Sequence, residues 1–324
     1  MFTRRTFLSG AGGLTLLNGA MAGAETKPGG KPMRGIFVIM ATPFTEAKEI
    51  DYEDLEREVG FMDRSRVHGM VWPQLASEYV TLSREERMKG MGVIAKAARG
   101  TKPALVLGVQ GPNTEAALDY LKRAEELGPD ALIAIPPSEA KSVDDYRRYY
   151  AALAGASQRP IFVQTTGGAK GITPPVEMIV GLAKEFPQLG YIKEEADPVV
   201  TRMLGLKKHE EIKSVFSGAA GKGMLYEARL GMDGTMPGAP YADVYVQIWE
   251  AWQAGDRAAA REVFSKLLLM INLDGVLPGT RQYVMKKRGI FKTTVSRRQK
   301  VTLSAKAMEE IDYCLESLGP WLRA

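Results

Sequence analysis

Eight short apolar runs, each followed by a longer stretch with helical periodicity, constrain this chain of 324 residues more than any other feature. The runs are Gly35 to Thr42, Gly69 to Pro73, Ala104 to Gly108, Ala131 to Ile135, Pro160 to Gln164, Leu189 to Lys193, Lys213 to Ser217 and Asp233 to Met236. They are mostly apolar, as expected of strands buried on both faces. The stretches Tyr52 to Arg64, Arg84 to Ala98, Thr114 to Leu127, Val143 to Ala156, Pro175 to Glu185, Val199 to Lys207, Lys222 to Leu230 and Ala242 to Ala254 read as helices. Asp51 with Asp54, and Ser83 with Glu86, have the spacing of helix N-terminal caps. Eight strand-helix units in succession is the count of a closed parallel sheet. The expectation is therefore an α/β fold, a (β/α)8 TIM barrel over residues 34–255, with residues 256–324 as additional C-terminal helices of the same domain. An open doubly wound sheet would usually offer a glycine-rich phosphate turn after the first strand, and Ala41-Thr42-Pro43-Phe44 contains no glycine.

The residues before the first strand read as something removable. Thr3-Arg4-Arg5-Thr6-Phe7-Leu8 precedes an apolar stretch, Leu14 to Ala22, that ends in Ala22-Gly23-Ala24. That order is the order of a secretory signal peptide, and the paired arginines point to the twin-arginine route. A membrane anchor is the alternative, but the apolar segment is shorter than the roughly 20 residues needed to span a bilayer. The expectation is a signal peptide over 1–24, a short tether over 25–33, and a periplasmic mature protein with no membrane attachment. Cleavage takes 43 basic residues to 41 against 38 acidic ones, and the formal charge from +5 to +3. The densest basic run, Lys286, Lys287 and Arg288 with Lys292, Arg297 and Arg298, lacks interleaved aromatics beyond Phe291 and reads as a solvated face, not a nucleic-acid patch. Cys314 is the single cysteine, and His68 and His209 lie far apart in sequence. A zinc site and a Ser-His-Asp hydrolase are both disfavoured, and no metal is expected.

In a parallel barrel, chemistry belongs at the C-terminal ends of the strands. Read in order these are Thr42-Pro43, Gln74 to Glu78, Gln110, Gln164-Thr165, Lys193, Ser217-Gly218 and Thr235-Met236, and Lys193 is the one amine among them. Burial penalises the charged form of an amine, and a neutral amine is the nucleophile that forms a Schiff base with a carbonyl. A structural, salt-bridged lysine is the competing reading, because Glu194 and Glu195 follow directly.

Several segments carry a resemblance. Gly35-x6-Thr42-Pro43-Phe44, Glu78-x2-Thr81-Leu82-Ser83-x-Glu85-Glu86-Arg87, Tyr191-Ile192-Lys193-Glu194, Phe216-Ser217-Gly218 and Leu230-Gly231-Met232-Asp233-Gly234 are similar to the dihydrodipicolinate synthase and N-acetylneuraminate lyase family of class I aldolase-like barrels. The similarity runs from about Gly35 to the C-terminus. It implies a Schiff base at Lys193, no organic cofactor, and a homotetramer or homodimer. Thr42, Ala76, Ser77, Glu78, Gln164, Thr165, Ser217, Thr235 and Met236 would then surround the substrate, with Gln164 donating to a substrate oxygen.

The departures from that pattern are specific. The family's second-strand loop normally reads Gly-Thr-Thr-Gly-Glu, whose threonines hold a substrate carboxylate, and here Gln74-Leu75-Ala76-Ser77-Glu78 stands in its place. Leu75 and Ala76 have no hydroxyl, and Ser77 is the candidate substitute. The family's fifth strand normally ends Tyr-Asn-x-Pro, with the tyrosine relaying protons, and this chain has Gln164-Thr165-Thr166-Gly167. An amide is no acid-base group near neutral pH. The usual arginine falls at Ala169, beside Lys170, and the usual tyrosine pair is replaced by Pro136-Pro137-Ser138. Dihydrodipicolinate synthesis itself is thus not expected. Tyr191 lies two residues before Lys193 on the same strand face. Its hydroxyl would take over proton transfer if it reaches the amine; otherwise its ring fills volume vacated at Gln164.

The combined expectation is an exported lyase, of aldolase or dehydratase type, that forms an imine between Lys193 and a 2-oxo acid or sugar-acid-like carbonyl compound. The alternative is a degenerate barrel that binds a small acid or a protein partner without turnover. A phosphate-binding isomerase gains little, since no glycine-rich phosphate loop follows strand seven or eight beyond Gly218 and Gly221.

Overall fold

The computed structural model describes residues 30–324. The signal peptide expected over 1–24 lies outside the described residues. Eight parallel strands close on themselves: β1 (Gly35–Ile39), β2 (Gly69–Trp72), β3 (Ala104–Gly108), β4 (Ala131–Ala134), β5 (Ile161–Gln164), β6 (Tyr191–Glu194), β7 (Ser214–Ser217) and β8 (Gly234–Thr235). Closure is made by β8 pairing with β1, Gly234 opposite Gly35. The helices α1 (Tyr52–Arg64), α2 (Arg84–Ala97), α3 (Thr114–Leu127), α4 (Val143–Ala156), α5 (Val176–Glu185), α6 (Val199–Leu206), α7 (Met224–Arg229) and α8 (Ala242–Gln253) form the outer ring. Asp51 accepts from the Asp54 amide, and Ser83 exchanges bonds with Glu86 in a full capping box.

Period-two alternation sorts the strand side chains. Ile36, Val38, Met70, Trp72, Leu105, Leu107, Val163, Ile192 and Val215 join the larger core between strands and helices. Phe37, Ile39, Val71, Val106, Ile133, Phe162, Phe216 and Met236 fill the lumen. Three phenylalanines make its plug, with ring centroids 5.9 Å apart for Phe37 and Phe162, 5.0 Å for Phe37 and Phe216, and 5.3 Å for Phe162 and Phe216. The plug needs Gly69 and Gly234 beside it, because a Cβ on either would sit 2.4 Å from a phenylalanine ring.

Two stretches differ from expectation. Residues 30–33, the end of the expected tether, pack onto the barrel floor: Lys31 donates to the carbonyls of Thr101 and Pro103 and pairs with Asp130, while Met33 packs against the lumen cluster. The C-terminal extension contains α9 (Arg257–Val276), α10 (Thr280–Lys287) and α11 (Ala305–Ser317). Its basic run is a solvated face only in part: Lys286, Lys287, Lys292 and Arg298 are exposed, whereas the Arg288 side chain is enclosed and Arg297 half-buried. The Arg288 side chain is 6% exposed and forked onto Asp243, Lys287 pairs with Asp312, Lys292 with Asp51 and Glu53, and Arg297 with Glu86 while stacking on Phe44. Lys292 and Arg297 tie the extension to the barrel's first two units, Arg288 ties it to α8, and the Lys287 pair joins α10 to α11 within it.

Glu58 on α1 is fully buried. Its Oε1 accepts from the Ala41 amide at 2.9 Å, and its Oε2 has no partner. Burial pushes its carboxyl well above the usual carboxylate range, against the Ala41 hydrogen bond. Above about pH 4.3 the native state therefore holds a proton that the unfolded chain has released, so stability falls as pH rises toward the native pKa. Glu58→Gln keeps the bond to Ala41 and removes the titration. Thermal melts should show E58Q matching the wild type near pH 4 and exceeding it by a few degrees at pH 8, at about 2–4 °C per kcal/mol; a constant difference across pH would contradict a neutral Glu58.

Candidate active site

Lys193 is the penultimate residue of β6, on the lumen face, in register with Gln164 of β5 and Phe216 of β7, above the phenylalanine plug. Its side chain is 3% exposed. The amine donates to Gln164 Oε1 at 3.3 Å and pairs with Glu195 Oε2 at 3.0 Å. Gln164 is itself fully buried, and its amide nitrogen donates to the Thr166 carbonyl at 3.3 Å.

The seam between the ends of β5 and β6 is matched residue for residue. Gln164 meets Lys193; Thr165 Oγ1 donates to Glu194 Oε1 at 2.6 Å; Thr166 Oγ1 donates to Glu195 Oε2 at 3.2 Å. Alternation sends the middle pair outward, where Glu194 also pairs with Arg202 of α6 at 3.1 Å. Glu195 lies two residues beyond Lys193 and returns to the same side. Its Oε1 accepts from the Ala219 amide at 3.1 Å. Burial opposes ionisation of Glu195, but the Lys193 charge and hydrogen bond, with those from Ala219 and Thr166, hold its carboxyl below the usual range.

The loop after β7 is shaped around this carboxylate. A Cβ on Gly218 would lie 1.8 Å from Glu195 Oε1, so only glycine leaves room. Ala219 and Ala220 both adopt left-handed conformations, with φ of 47° and 57°, which L residues rarely do.

Other expected site residues are placed elsewhere. Thr42 borders a small cavity with Ile39, Ala76 and Glu78, but its hydroxyl proton is committed to the Ser77 carbonyl at 2.6 Å and its oxygen accepts from Trp72 Nε1 at 3.1 Å. Ser77 is fully buried, donates to the Met40 carbonyl and accepts from the Gln74 amide, so it does not stand in for the missing threonines. Glu78 turns to the C-terminal extension, its Oε2 accepting from the amides of Arg297 and Arg298 at 3.0 and 2.8 Å. Thr165 is spent on Glu194, and Ser217 and Thr235 bond each other at 2.9 Å on the helix side of their strands. Ala76 and Met236 pack against the lumen cluster as apolar surface.

Tyr191 is a correction to the proton-transfer reading. Its ring packs on Phe162 at 5.7 Å and borders a cavity of about 840 Å³ at the N-terminal face, together with Lys31, Met33 and Lys213. It is the first residue of the strand whose third is Lys193, so the phenol belongs to the barrel floor, and the Lys193 amine bonds Gln164 and Glu195 instead.

Two groups have no role in the sequence reading, although Gln74 and Gln110 stand among its strand-end positions. Glu195 was noted only as a neighbour of Lys193, although period-two alternation alone puts it on the lysine's face. Gln74 and Gln110 form a buried amide pair at the ends of β2 and β3, Gln74 Nε2 donating to Gln110 Oε1 at 3.1 Å, and Gln74 Oε1 has no partner. Among the described residues, no cluster of acidic, histidine or cysteine side chains could hold a metal ion, and no helix is long and apolar enough to cross a membrane.

The dihydrodipicolinate synthetase family model matches residues 32–318. A 4-hydroxy-tetrahydrodipicolinate synthase of Parabacteroides distasonis is 27% identical over 256 residues, covering 77% of this chain and 85% of that protein. An uncharacterized DapA-like lyase of Pyrococcus furiosus is 26% identical over 242 residues, covering 73% of this chain and 80% of that protein. Among solved structures, the 4-hydroxy-tetrahydrodipicolinate synthase of Methylacidiphilum fumariolicum superimposes with a TM-score of 0.80 at 21% identity, covering 90% of this chain and 97% of that one.

Two substitutions check this geometry. Tyr191→Phe should leave the reactivity of Lys193 toward carbonyl compounds within twofold of the wild type; a loss of tenfold or more would return the phenol to the site. Gly218→Ala should cost about 1–3 kcal/mol in chemical denaturation through overpacking against Glu195, and an unchanged midpoint would show that the carboxylate is not seated there.

Proposed function

This chain belongs to the dihydrodipicolinate synthetase family, and from that premise and the setting of Lys193 we propose that it is a Schiff-base-forming lyase acting on a 2-oxo acid or sugar-acid-like carbonyl compound. The observation that carries the reading is a single buried amine at the C-terminal end of the barrel lumen, held by an amide and a carboxylate. Condensation of the amine with a substrate carbonyl expels water and leaves a protonated imine. That cation draws electrons from the neighbouring carbon, so a carbon-carbon bond is cleaved or formed, or a hydroxyl eliminated, one position along the substrate.

The lining argues for a substrate other than that of the synthases. The hydroxyls of Thr42 and Ser77 are committed to protein carbonyls, so neither is free to donate to a substrate carboxylate. The unpaired Gln74 Oε1 is instead an acceptor suited to a substrate hydroxyl. The paired arginines and the apolar stretch before residue 24 favour action outside the cytoplasm, and the family resemblance favours a homotetramer or homodimer.

The second reading, a barrel that binds without turnover, draws support from the ion pair that ties up Lys193. Trapping separates the two. Incubation of the purified protein with pyruvate and a panel of 2-oxo sugar acids, followed by borohydride and peptide mass spectrometry, should place the label on Lys193 and identify the preferred compound. Lys193→Met should carry none. Absence of label with every compound would replace the lyase reading with the binding one.

A further inference from the structure

The two partners of the Lys193 amine are chemically unequal. Gln164 offers a neutral amide oxygen, whereas Glu195 offers a carboxylate. We infer that Glu195 is the proton carrier of imine formation, taking a proton from the Lys193 ammonium and returning it to the departing hydroxyl. This rests on the reading of Lys193 as an imine-forming amine and adds a second catalytic residue to it.

Three observations carry the assignment. The carboxylate is in contact with the reacting nitrogen, at 3.0 Å, within reach of direct proton transfer. It is also aimed: Thr166 Oγ1 holds the oxygen that faces the amine, the Ala219 amide holds the other, and Gly218 leaves the space it occupies. The Ala219 amide is presented by two successive left-handed alanines, a conformation that persists only where its surroundings enforce it. Finally, Glu195 is 17% exposed against 3% for Lys193, so it stands on the solvent side of the amine and has a route for exchanging its proton. Adjacent Glu194 makes a telling contrast, because Thr165 and Arg202 hold it on the opposite face of the strand.

The proton count closes. The ammonium gives one proton to the Glu195 carboxylate and becomes the free amine. The nitrogen lone pair forms a bond to the carbonyl carbon as the C=O π pair moves to oxygen, and a second proton passes from nitrogen to that oxygen. The carbinolamine then loses its hydroxyl as water, using the proton held on Glu195, and the nitrogen lone pair forms the C=N bond. Lys193 ends with one proton and a positive charge, Glu195 ends as a carboxylate, and one water leaves.

A carboxylate that is only a counter-ion makes the opposite prediction. It holds the amine as ammonium, and its removal would free the amine and speed condensation. Reductive methylation distinguishes the two without knowledge of the natural substrate. Isotopically labelled formaldehyde and cyanoborohydride are applied to the wild type, Glu195→Gln and Glu195→Ala, and the labelling rate of Lys193 is measured against exposed Lys300 and Lys306 in the same digest. The expected result is a fall of at least about tenfold at Lys193 in both variants, no change at the reference lysines, and recovery in E195A on adding formate. Rates at Lys193 equal to or above the wild type overturn the assignment, and so does a slow E195A that formate does not restore. A wild type whose Lys193 condenses with formaldehyde through Glu195, yet takes no label from pyruvate or 2-oxo sugar acids, would remove the proposed substrate class and leave the proton carrier in place.

Discussion

Closure of the parallel sheet is the constraint on which the rest depends. Once β8 pairs with β1, every strand side chain has two destinations, the lumen or the helix layer, and successive residues take them in turn. The lumen is too narrow for a through passage when three phenylalanines meet across it. A polar side chain on the lumen face at a strand's C-terminal end therefore sits in a chamber with a solid floor. Lys193 is such a residue, and its low exposure follows from the plug beneath it and the β5 and β7 neighbours beside it.

The same alternation gives two adjacent glutamates different work. Glu194 faces outward, where a buried carboxylate is tolerable only when paired, and Arg202 and Thr165 meet that demand. Glu195 faces inward, where its partner is the Lys193 amine. A buried ammonium with no counter-charge would be costly, so a lysine in this chamber requires an acid nearby simply to persist in its charged form. Structural and chemical roles of the ion pair are thus compatible: the contact that makes the resting lysine tolerable is also the shortest path for its proton.

The fold could be read from the chain because its signals are local. Apolar runs of strand length, helical stretches between them and caps such as Asp51 and Ser83 depend on neighbours a few residues away, and the helices start and end within two residues of expectation in nearly every case. Lys193 was readable for the same reason, as the one amine at a strand end. The identities of the other lining residues depended on facts that are not local. Thr165, Ser217 and Thr235 sit at strand ends but on the wrong parity, and parity at an end is known only once the register with Lys193 and Phe216 is fixed. Thr42 and Ser77 were lost to hydrogen bonds with Trp72 and Met40, partners 30 and 37 residues away. Tyr191 has the right parity and the wrong depth. Two residues of rise carry a side chain about 6.5 Å along a strand, and its cavity opens at the floor.

The engagement of those hydroxyls bears on what the chamber can recognise. Thr42 and Ser77 tie the end of β1 to the loop after β2, and Glu78 ties that loop to the C-terminal extension through the amides of Arg297 and Arg298. The loop is consequently fixed from both sides by groups that would otherwise be available to a ligand. What remains near the strand ends is a set of neutral amides, Gln74, Gln110 and Gln164, and an ion pair whose charges cancel. Amides bind hydroxyl and carbonyl groups without adding a net field of their own. On the proposed reading, selectivity would rest on the pattern of hydroxyls around the reacting carbonyl, and a charge formed on the Lys193 nitrogen would have Glu195 as its counter-ion.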